Sequence, residues 1–275
     1  MRTTGRRKLI TRTKWRKWLS PYTEALSRGP KRFVNEAVFG MLVAASPVLS
    51  EMARALRSWS QHIEPVLKRL ARNLASRRFA PQTFRMRILE HNALFVERDT
   101  PVHIDLSDIS KPHARKMPCL CKVRDASDPR KPIRRGYWLL EAYAEPSRGL
   151  LVPLLLVVFS TRQRKFISQN KLIIGYLRFL DSVLGPRGIF IMDRGFDARV
   201  YFEELLEMRR RFIIRLRDGR DLLCEDGKKR RVGRPACASP HADRLAMRLL
   251  RPADGPRVVR SLKVRVPGDH RAFGP

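Results

Sequence analysis

The sequence predicts an α/β protein in which an all-α region precedes a mixed β-sheet covered by helices. Three observations carry that expectation. Apolar residues recur at spacings of three and four from Pro21 to about Glu97, the period of amphipathic helices. After Asp99-Thr100-Pro101 the period changes to alternation, as in a strand with one buried face. Beyond Ser168, helical stretches alternate with short apolar runs, as helix–strand units packed on a sheet require. The chain therefore divides into a basic arm (1–20), a helical region (21–98) and a sheet domain (99–275).

The arm carries eight basic residues and no acid, with Trp15 and Trp18 at helical spacing. Two readings stay open: a solvated tail, or a short helix that settles on phosphates with its indoles packed inward. A transit peptide is a weaker third reading, because the chain is basic throughout.

In the helical region, Val34, Val38, Phe39, Leu42 and Val43 make the stripe of one helix. Ser46-Pro47 reads as the start of the next, with Ser46 as cap and Pro47 in the first turn. Leu49, Met52, Ala53 and Leu56 form its apolar face. After a break at Ser58-Trp59-Ser60, a further helix sets Ile63, Val66, Leu67, Leu70 and Leu74 on one side. Its other side carries Lys68, Arg69, Arg72, Arg77 and Arg78. A helix-turn-helix that meets DNA through Lys68, Arg69 and Arg72 is one reading. An ordinary bundle with a solvated basic face is the other, and this segment alone favours it.

In the sheet domain, Val102, Ile104 and Leu106 alternate with His103 and Asp105. Pro118 to Val123 and Tyr137 to Ala144 read as strands joined across a turn cluster at Asp125-Ala-Ser-Asp-Pro129. Leu150 to Phe159, wholly apolar, reads as a central strand. Ser168 to Leu184 is an amphipathic helix that stops at Gly185-Pro186-Arg187-Gly188. Ile189 to Met192 is a strand ending in Asp193, followed by a helix from Asp197 to about Arg211 and a strand from Phe212 to Leu216. From Arg217 onward the sequence is polar and turn-rich, with weak strands near Ala246–Leu250 and Leu262–Val266.

Charge narrows the partner. Lys and Arg number 58 against 26 Asp and Glu, a formal net charge of +32. The excess is spread along the chain: 21 basic against 7 acidic residues in 1–100, 18 against 9 in 101–200, and 19 against 10 in 201–275. Such a surface suits a polyanion, and nucleic acid leads, with binding that weakens steeply in salt. Anionic membrane and a coding bias toward Arg (44 Arg, 14 Lys) are the weaker alternatives. The longest apolar run, Leu150 to Phe159, contains Pro153 and is too short to cross a bilayer, so no membrane partner is expected. Cys119, Cys121, Cys224 and Cys237 lack the spacing of a structural zinc site, although Cys237 and His241 could join a weak one. Reduced cytosolic thiols are the expectation.

Two carboxylates stand out by position. Asp105 lies on the non-apolar face of the first strand, and Asp193 closes the strand of a helix–strand unit. Ligands of open α/β sheets gather beyond the carboxyl ends of strands. Should those strands be neighbours, the two side chains converge. Bare carboxylates held together repel, and a divalent cation removes that problem. Hard oxygen ligands suit Mg²⁺, with Mn²⁺ as a substitute. Such sites serve phosphodiester chemistry. Asp108 reads as a turn or capping residue and Asp197 as the cap of the following helix. A structural role for Asp105 and Asp193 is the alternative.

The stretch Val102-His-Ile-Asp-Leu-Ser-Asp-Ile-Ser-Lys-Pro112, with Ala114-Arg-Lys-Met117, resembles the segment around the first catalytic Asp of bacterial insertion-sequence DDE transposases of the insertion-sequence-four type. Ile191-Met-Asp-Arg-Gly-Phe-Asp197 is similar to the segment around that group's second Asp. The run Phe33-Val-x-Glu-Ala-Val-x-Gly-Met-Leu42 is similar to its amino-terminal DNA-binding region. The resemblance spans about residues 30–270. It implies an RNase H-like mixed-sheet catalytic core and metal-dependent cleavage and strand transfer at transposon ends. It makes Asp105 and Asp193 the first two catalytic and metal-binding carboxylates. Arg194, Lys111 and Lys116 become candidate phosphate contacts, with an ion pair or a solvated loop charge as the plainer readings.

The sequence also departs from that family. Its third carboxylate is a Glu in a Tyr-x-x-Arg-x-x-x-Glu-x-x-x-x-x-x-Lys helix, and no such string follows Asp193. Glu203, Glu204 and Glu207 come too early. Val264-Arg-Val-Pro-Gly-Asp269 resembles the strand of the family's β-insertion. The expectation is therefore a core that is incomplete at its C-terminus, ending within that insertion. Two function classes follow: a DDE transposase acting on double-stranded DNA, as a homodimer in a synaptic complex at the bacterial nucleoid, or a catalytically dead DNA-binding remnant that represses transposition. A structural RNA-binding protein is a third.

Overall fold

The computed structural model describes residues 12–56, 62–76, 81–124, 130 and 132–217, and the backbone of short strands within 221–262. The chain forms two compact units, Met1–Asn92 and Ala93–Pro275.

The first unit is all helix: α1 (Arg12–Thr23), α2 (Arg28–Ala44), α3 (Leu49–Ala55), α4 (Ile63–Leu74) and α5 (Pro81–Asn92). Its core joins Trp15 and Leu19 of α1, Phe33 and Val34 of α2, Met52 and Ala53 of α3, Leu56, and Val66 and Leu70 of α4. The C-terminal part of the arm is thus helical. Trp15 packs inward while Trp18 stays 58% exposed, so only one of the two indoles follows the inward-packing expectation. Gly40 lets α2 approach α3 closely, since a Cβ there would lie 3.1 Å from the Cβ of Met52.

Two expectations for this unit are corrected. The α2 stripe holds at Val34, Val38 and Phe39, joined by Phe33 and Gly40, while Leu42 and Val43 are exposed. Helix α3 begins at Leu49 and not at Pro47: Ala45 turns left-handed (φ 49°), and the Ser46 hydroxyl accepts the Val48 N–H at 3.2 Å. Ser46 therefore closes a tight turn one step ahead of the helix. The break at Ser58-Trp59-Ser60, with Arg77 and Arg78, lies outside the described residues.

The second unit holds a six-stranded mixed sheet. Its strands are β1 (Pro101–Ser110), β2 (Cys121–Arg124), β3 (Ile133–Ser147), β4 (Leu150–Phe159), β5 (Ile189–Met192) and β6 (Phe212–Ile214). Strand β3 pairs antiparallel with β1 on one side and with β4 and β2 on the other. Strands β1, β5 and β6 run parallel. Between β4 and β5 runs α6 (Gln169–Leu184), and between β5 and β6 runs α7 (Arg199–Glu207). Both crossovers advance in the same direction across the sheet, so right-handed connection puts both helices on one face.

That face is the buried one. It carries Val102 and Ile104, Leu140, Ala142 and Ala144, Phe190 and Met192, with Ile173, Leu177, Leu180 and Leu184 of α6 and Phe202 and Leu205 of α7. Ser168 caps α6 by accepting the Lys171 N–H at 3.2 Å. Gly188 starts β5 at φ +84°, where a Cβ would come within 2.9 Å of Val102. Arg210, 7% exposed, lies over the Phe190 ring at 4.2 Å and donates to the carbonyls of Gly185 and Arg187.

Three expectations change here. Strand β4 is not central but pairs only with β3, and its edge position leaves Leu150, Leu151, Leu156 and Val158 exposed. Pro153, which cannot donate to a ladder, fits an edge. Asp108 is not in a turn: β1 continues through it, opposite Trp138. Asp197 does not cap α7, whose cap position is Ala198; its Oδ2 instead accepts the Arg217 N–H at 2.8 Å. Four further strands form a second sheet in the order β10-β9-β7-β8, namely β7 (Asp221–Leu223), β8 (Lys229–Arg231), β9 (Leu245–Leu249) and β10 (Arg257–Leu262). The last starts earlier than its apolar run near Leu262–Val266 predicts.

Cys121 is buried and Cys119 exposed, both as free thiols; Cys224, Cys237 and His241 lie outside the described residues. No single helix among the described residues is long and apolar enough to cross a membrane.

Candidate functional site

Strands β1 and β5 are parallel neighbours in the register Pro101↔Ile189, Val102↔Phe190, His103↔Ile191 and Ile104↔Met192. The offset is constant, so the next two positions are Asp105 and Asp193. Asp193 keeps an extended backbone, φ −77° and ψ −177°. Its side chain therefore leaves on the face opposite buried Met192, as that of Asp105 leaves opposite buried Ile104. Adjacent strands lie about 4.8 Å apart. Both carboxylates are exposed. Two side chains far apart in sequence thus stand side by side at the carboxyl end of β5.

The string after Asp193 shapes its carboxylate. The Gly195 N–H donates to Asp193 Oδ1 at 2.8 Å, closing the short turn Arg194–Phe196. A Cβ on residue 195 would lie 2.8 Å from the same oxygen. Glycine is needed there so that the carboxylate keeps its place.

On its other side, Asp105 faces Glu141 of β3 directly. The three strands therefore carry one row, Asp193–Asp105–Glu141. Glu141 accepts from the Tyr143 hydroxyl at 3.0 Å and from the Ser107 hydroxyl at 3.5 Å. Burial, then the hydrogen bond and charge of Glu141, push the Tyr143 phenol above its usual range. One step along, His103 Nε2 meets Glu145 Oε2 at 3.2 Å. The Gly149 N–H and then His103 hold the Glu145 carboxyl below the usual carboxylate range. Among the described residues, no three His, Cys, Asp or Glu side chains gather closely enough to hold a metal ion. Glu141 shares the row but is bound to Tyr143 and Ser107.

Sequence reasoning missed Glu141. The alternation of Tyr137 to Ala144 sets Glu141 and Tyr143 on the polar phase, which was readable; the register that brings Glu141 opposite Asp105 was not.

The predicted phosphate contacts fall in several places. Lys111 and Lys116 are exposed in the segment after β1, and the Lys111 N–H donates to the Arg135 carbonyl at 2.7 Å. Arg194 is exposed beside Asp193, and its carbonyl accepts from Arg217 Nε at 3.1 Å. In the helical unit, Arg72 is exposed on α4. Lys68, also exposed, pairs with Glu64 at 3.2 Å, a contact worth little in water. Arg69 is engaged differently. Its Nε and Nη2 donate to Glu36 at 2.9 and 3.0 Å, and Arg32 adds a third bond to the same carboxylate at 2.9 Å. Glu36 is 5% exposed, so Arg69 ties α4 to α2.

The donor set at Asp105 and Asp193 is hard, anionic and open. Mg²⁺ commonly binds through one or two carboxylates, with water and substrate phosphate completing its shell. The pair fits that requirement only with further oxygen ligands from outside the protein and is a poor closed metal cage alone. No protein-family model and no curated protein matches the chain.

Proposed function

We propose that the second unit is an RNase H-like core of the insertion-sequence-four type of DDE transposase, cutting and rejoining double-stranded DNA at Asp105 and Asp193. The observation that carries this reading is the register Ile104↔Met192, which makes the two aspartates neighbours. The order β4-β3-β1-β5-β6 supports it: three antiparallel strands followed by two parallel ones, with helices after the third and fourth, is the arrangement such a core has. The chain's charge of +32 supports a polyanionic substrate.

A Mg²⁺ or Mn²⁺ ion held there would supply Lewis-acid activation of the scissile phosphate. Asp105, within β1, and Asp193, directly after β5, would hold that ion. The Gly195 N–H fixes the Asp193 carboxylate. Arg194, exposed beside Asp193, would meet a substrate phosphate, and the exposed Lys111 and Lys116 would extend the positive surface. Water attacks the phosphodiester at the transposon end and leaves a 3′-hydroxyl and a 5′-phosphate; that 3′-hydroxyl then attacks a target phosphodiester, joins to its phosphate and releases a target 3′-hydroxyl, with a homodimer pairing the ends at the bacterial nucleoid.

One observation favours a second reading, a DNA-binding repressor without catalysis: no third carboxylate converges on the pair among the described residues. A nicking assay on duplex DNA bearing candidate ends separates them. The first reading expects Mg²⁺-dependent nicks that Asp105→Ala and Asp193→Ala each abolish. Nicking that survives both substitutions sinks the catalytic assignment, and end-specific binding without nicking selects the repressor.

A further inference from the structure

The open face of the sheet carries a second feature. Strand β2 alternates cleanly: Cys121 and Val123 are buried, Lys122 and Arg124 exposed. Its register with β3 pairs Lys122 with Arg135 and Arg124 with Ile133. Partners in an antiparallel ladder project to the same face, and alternation along β3 puts Arg135 on the face of Glu141, hence of Asp105. Lys122 and Arg135 are thus two exposed cations directly opposite each other. Like charges in that relation destabilise a sheet, and no Asp or Glu among the described residues forms an ion pair with either; Asp125 and Asp128, which follow Arg124 in the sequence, lie outside the described residues.

A like-charge pair maintained on a rigid strand is explained by a polyanion that neutralises it. Six residues of β3 separate Arg135 from Glu141, about 20 Å at the strand rise. That distance corresponds to about six base pairs of duplex at 3.4 Å each. The surface between bears Tyr137 and Leu139 of β3 and Ser107 and Ile109 of β1, all uncharged.

We propose that Lys122, Arg124 and Arg135 form a phosphate-binding anchor for duplex DNA, on the same face as Asp105 and Asp193. The assignment rests on the reading of that pair as a DNA-cutting site, because it names where the DNA runs. Binding at the anchor itself requires no metal.

The test uses the full chain, a labelled 30-base-pair duplex and EDTA, with affinity measured by anisotropy across a NaCl series. Replacing Lys122, Arg124 and Arg135 together by Gln is expected to lower the slope of log K against log salt by about 2–3, at about 0.9 per lost phosphate contact. The variant with Lys122→Arg, Arg124→Lys and Arg135→Lys keeps the slope. A control with Lys171→Gln and Arg209→Gln, exposed on α6 and just after α7, keeps it too. An unchanged slope in the first variant, an equal loss in the control, loss of the slope in the charge-conserving variant, or binding confined to duplex RNA overturns the anchor. Because EDTA removes catalysis, a slope that falls as expected while nicking ignores Asp105→Ala leaves the anchor standing and removes only the cleavage reading.

Discussion

Asp105 and Asp193 directly follow Ile104 and Met192, the last register partners of two parallel neighbouring strands. Strand pairing therefore achieves what sequence distance conceals: two carboxylates, one within the β1 ladder and one directly after β5, on one edge of the polar face. Strand β3 puts Glu141 opposite Asp105, and two acids directly opposite each other on neighbouring strands are costly.

That cost predicts a trade between stability and binding. Asp105→Asn removes like-charge opposition across β1 and β3, so in EDTA the variant is expected to match or exceed the parent in stability by up to about 1 kcal/mol. Urea unfolding measures this. A loss of more than about 1 kcal/mol would instead mark Asp105 as a structural carboxylate.

Gly195→Ala separates the site from the fold. The added methyl would press on Asp193 Oδ1, displacing the carboxylate at an exposed position. Mn²⁺ affinity is expected to fall about tenfold, in the range seen when groups that orient metal ligands are lost, with the melting temperature nearly unchanged. Unchanged affinity would show that the Gly195 contact does not position Asp193.

Gly188→Ala acts on the frame. At φ +84° an L side chain costs about 1–2 kcal/mol, and the new Cβ would meet Val102 on the strand that carries Asp105. Calorimetry should show a loss of at least that size.

In the helical unit, Glu36→Ala strands Arg69 without its partner. The pair is buried on the Glu side and partly exposed on the Arg side, so the expected loss is about 2–3 kcal/mol, below the full cost of breaking a wholly buried pair. Arg69→Met, which keeps the packing stem, should cost less. Chemical denaturation distinguishes the two, and equal losses would contradict the account.

The Glu145 carboxyl is held below its usual range by the Gly149 N–H and then by His103. A depressed folded-state pKa stabilises the fold above the ordinary carboxylate range near pH 4 and ceases to do so as pH falls through the lower value. Melting temperatures of Glu145→Gln should therefore lie slightly below the parent at pH 7 and converge with it in acid. A difference that persists at pH 2 would point to packing in place of charge.

Much of this architecture was legible in local pattern, and the failures share a cause. The limits of α6 and β5 followed from periodicity and capping, because Ser168, Gly185 and the apolar runs act within a few residues. Strand β4 was misplaced because an apolar run does not tell an edge strand with exposed leucines from a central one. A lone Asp looks like a cap wherever a helix or turn is near, while contacts distant in sequence decide its role: strand pairing opposite Trp138 for Asp108, the Arg217 N–H for Asp197. Glu141 and the opposition of Lys122 to Arg135 depend on register, which no single segment encodes. Arg69 looked like a surface cation until the fold brought Glu36 to it.

The most direct test of the central claim is Mn²⁺ titration of the full chain with duplex DNA present, followed by electron paramagnetic resonance. A saturable site is expected that Asp105→Ala and Asp193→Ala each remove while duplex affinity in EDTA is retained. Mn²⁺ binding unchanged by either substitution would contradict a cation shared between the two aspartates.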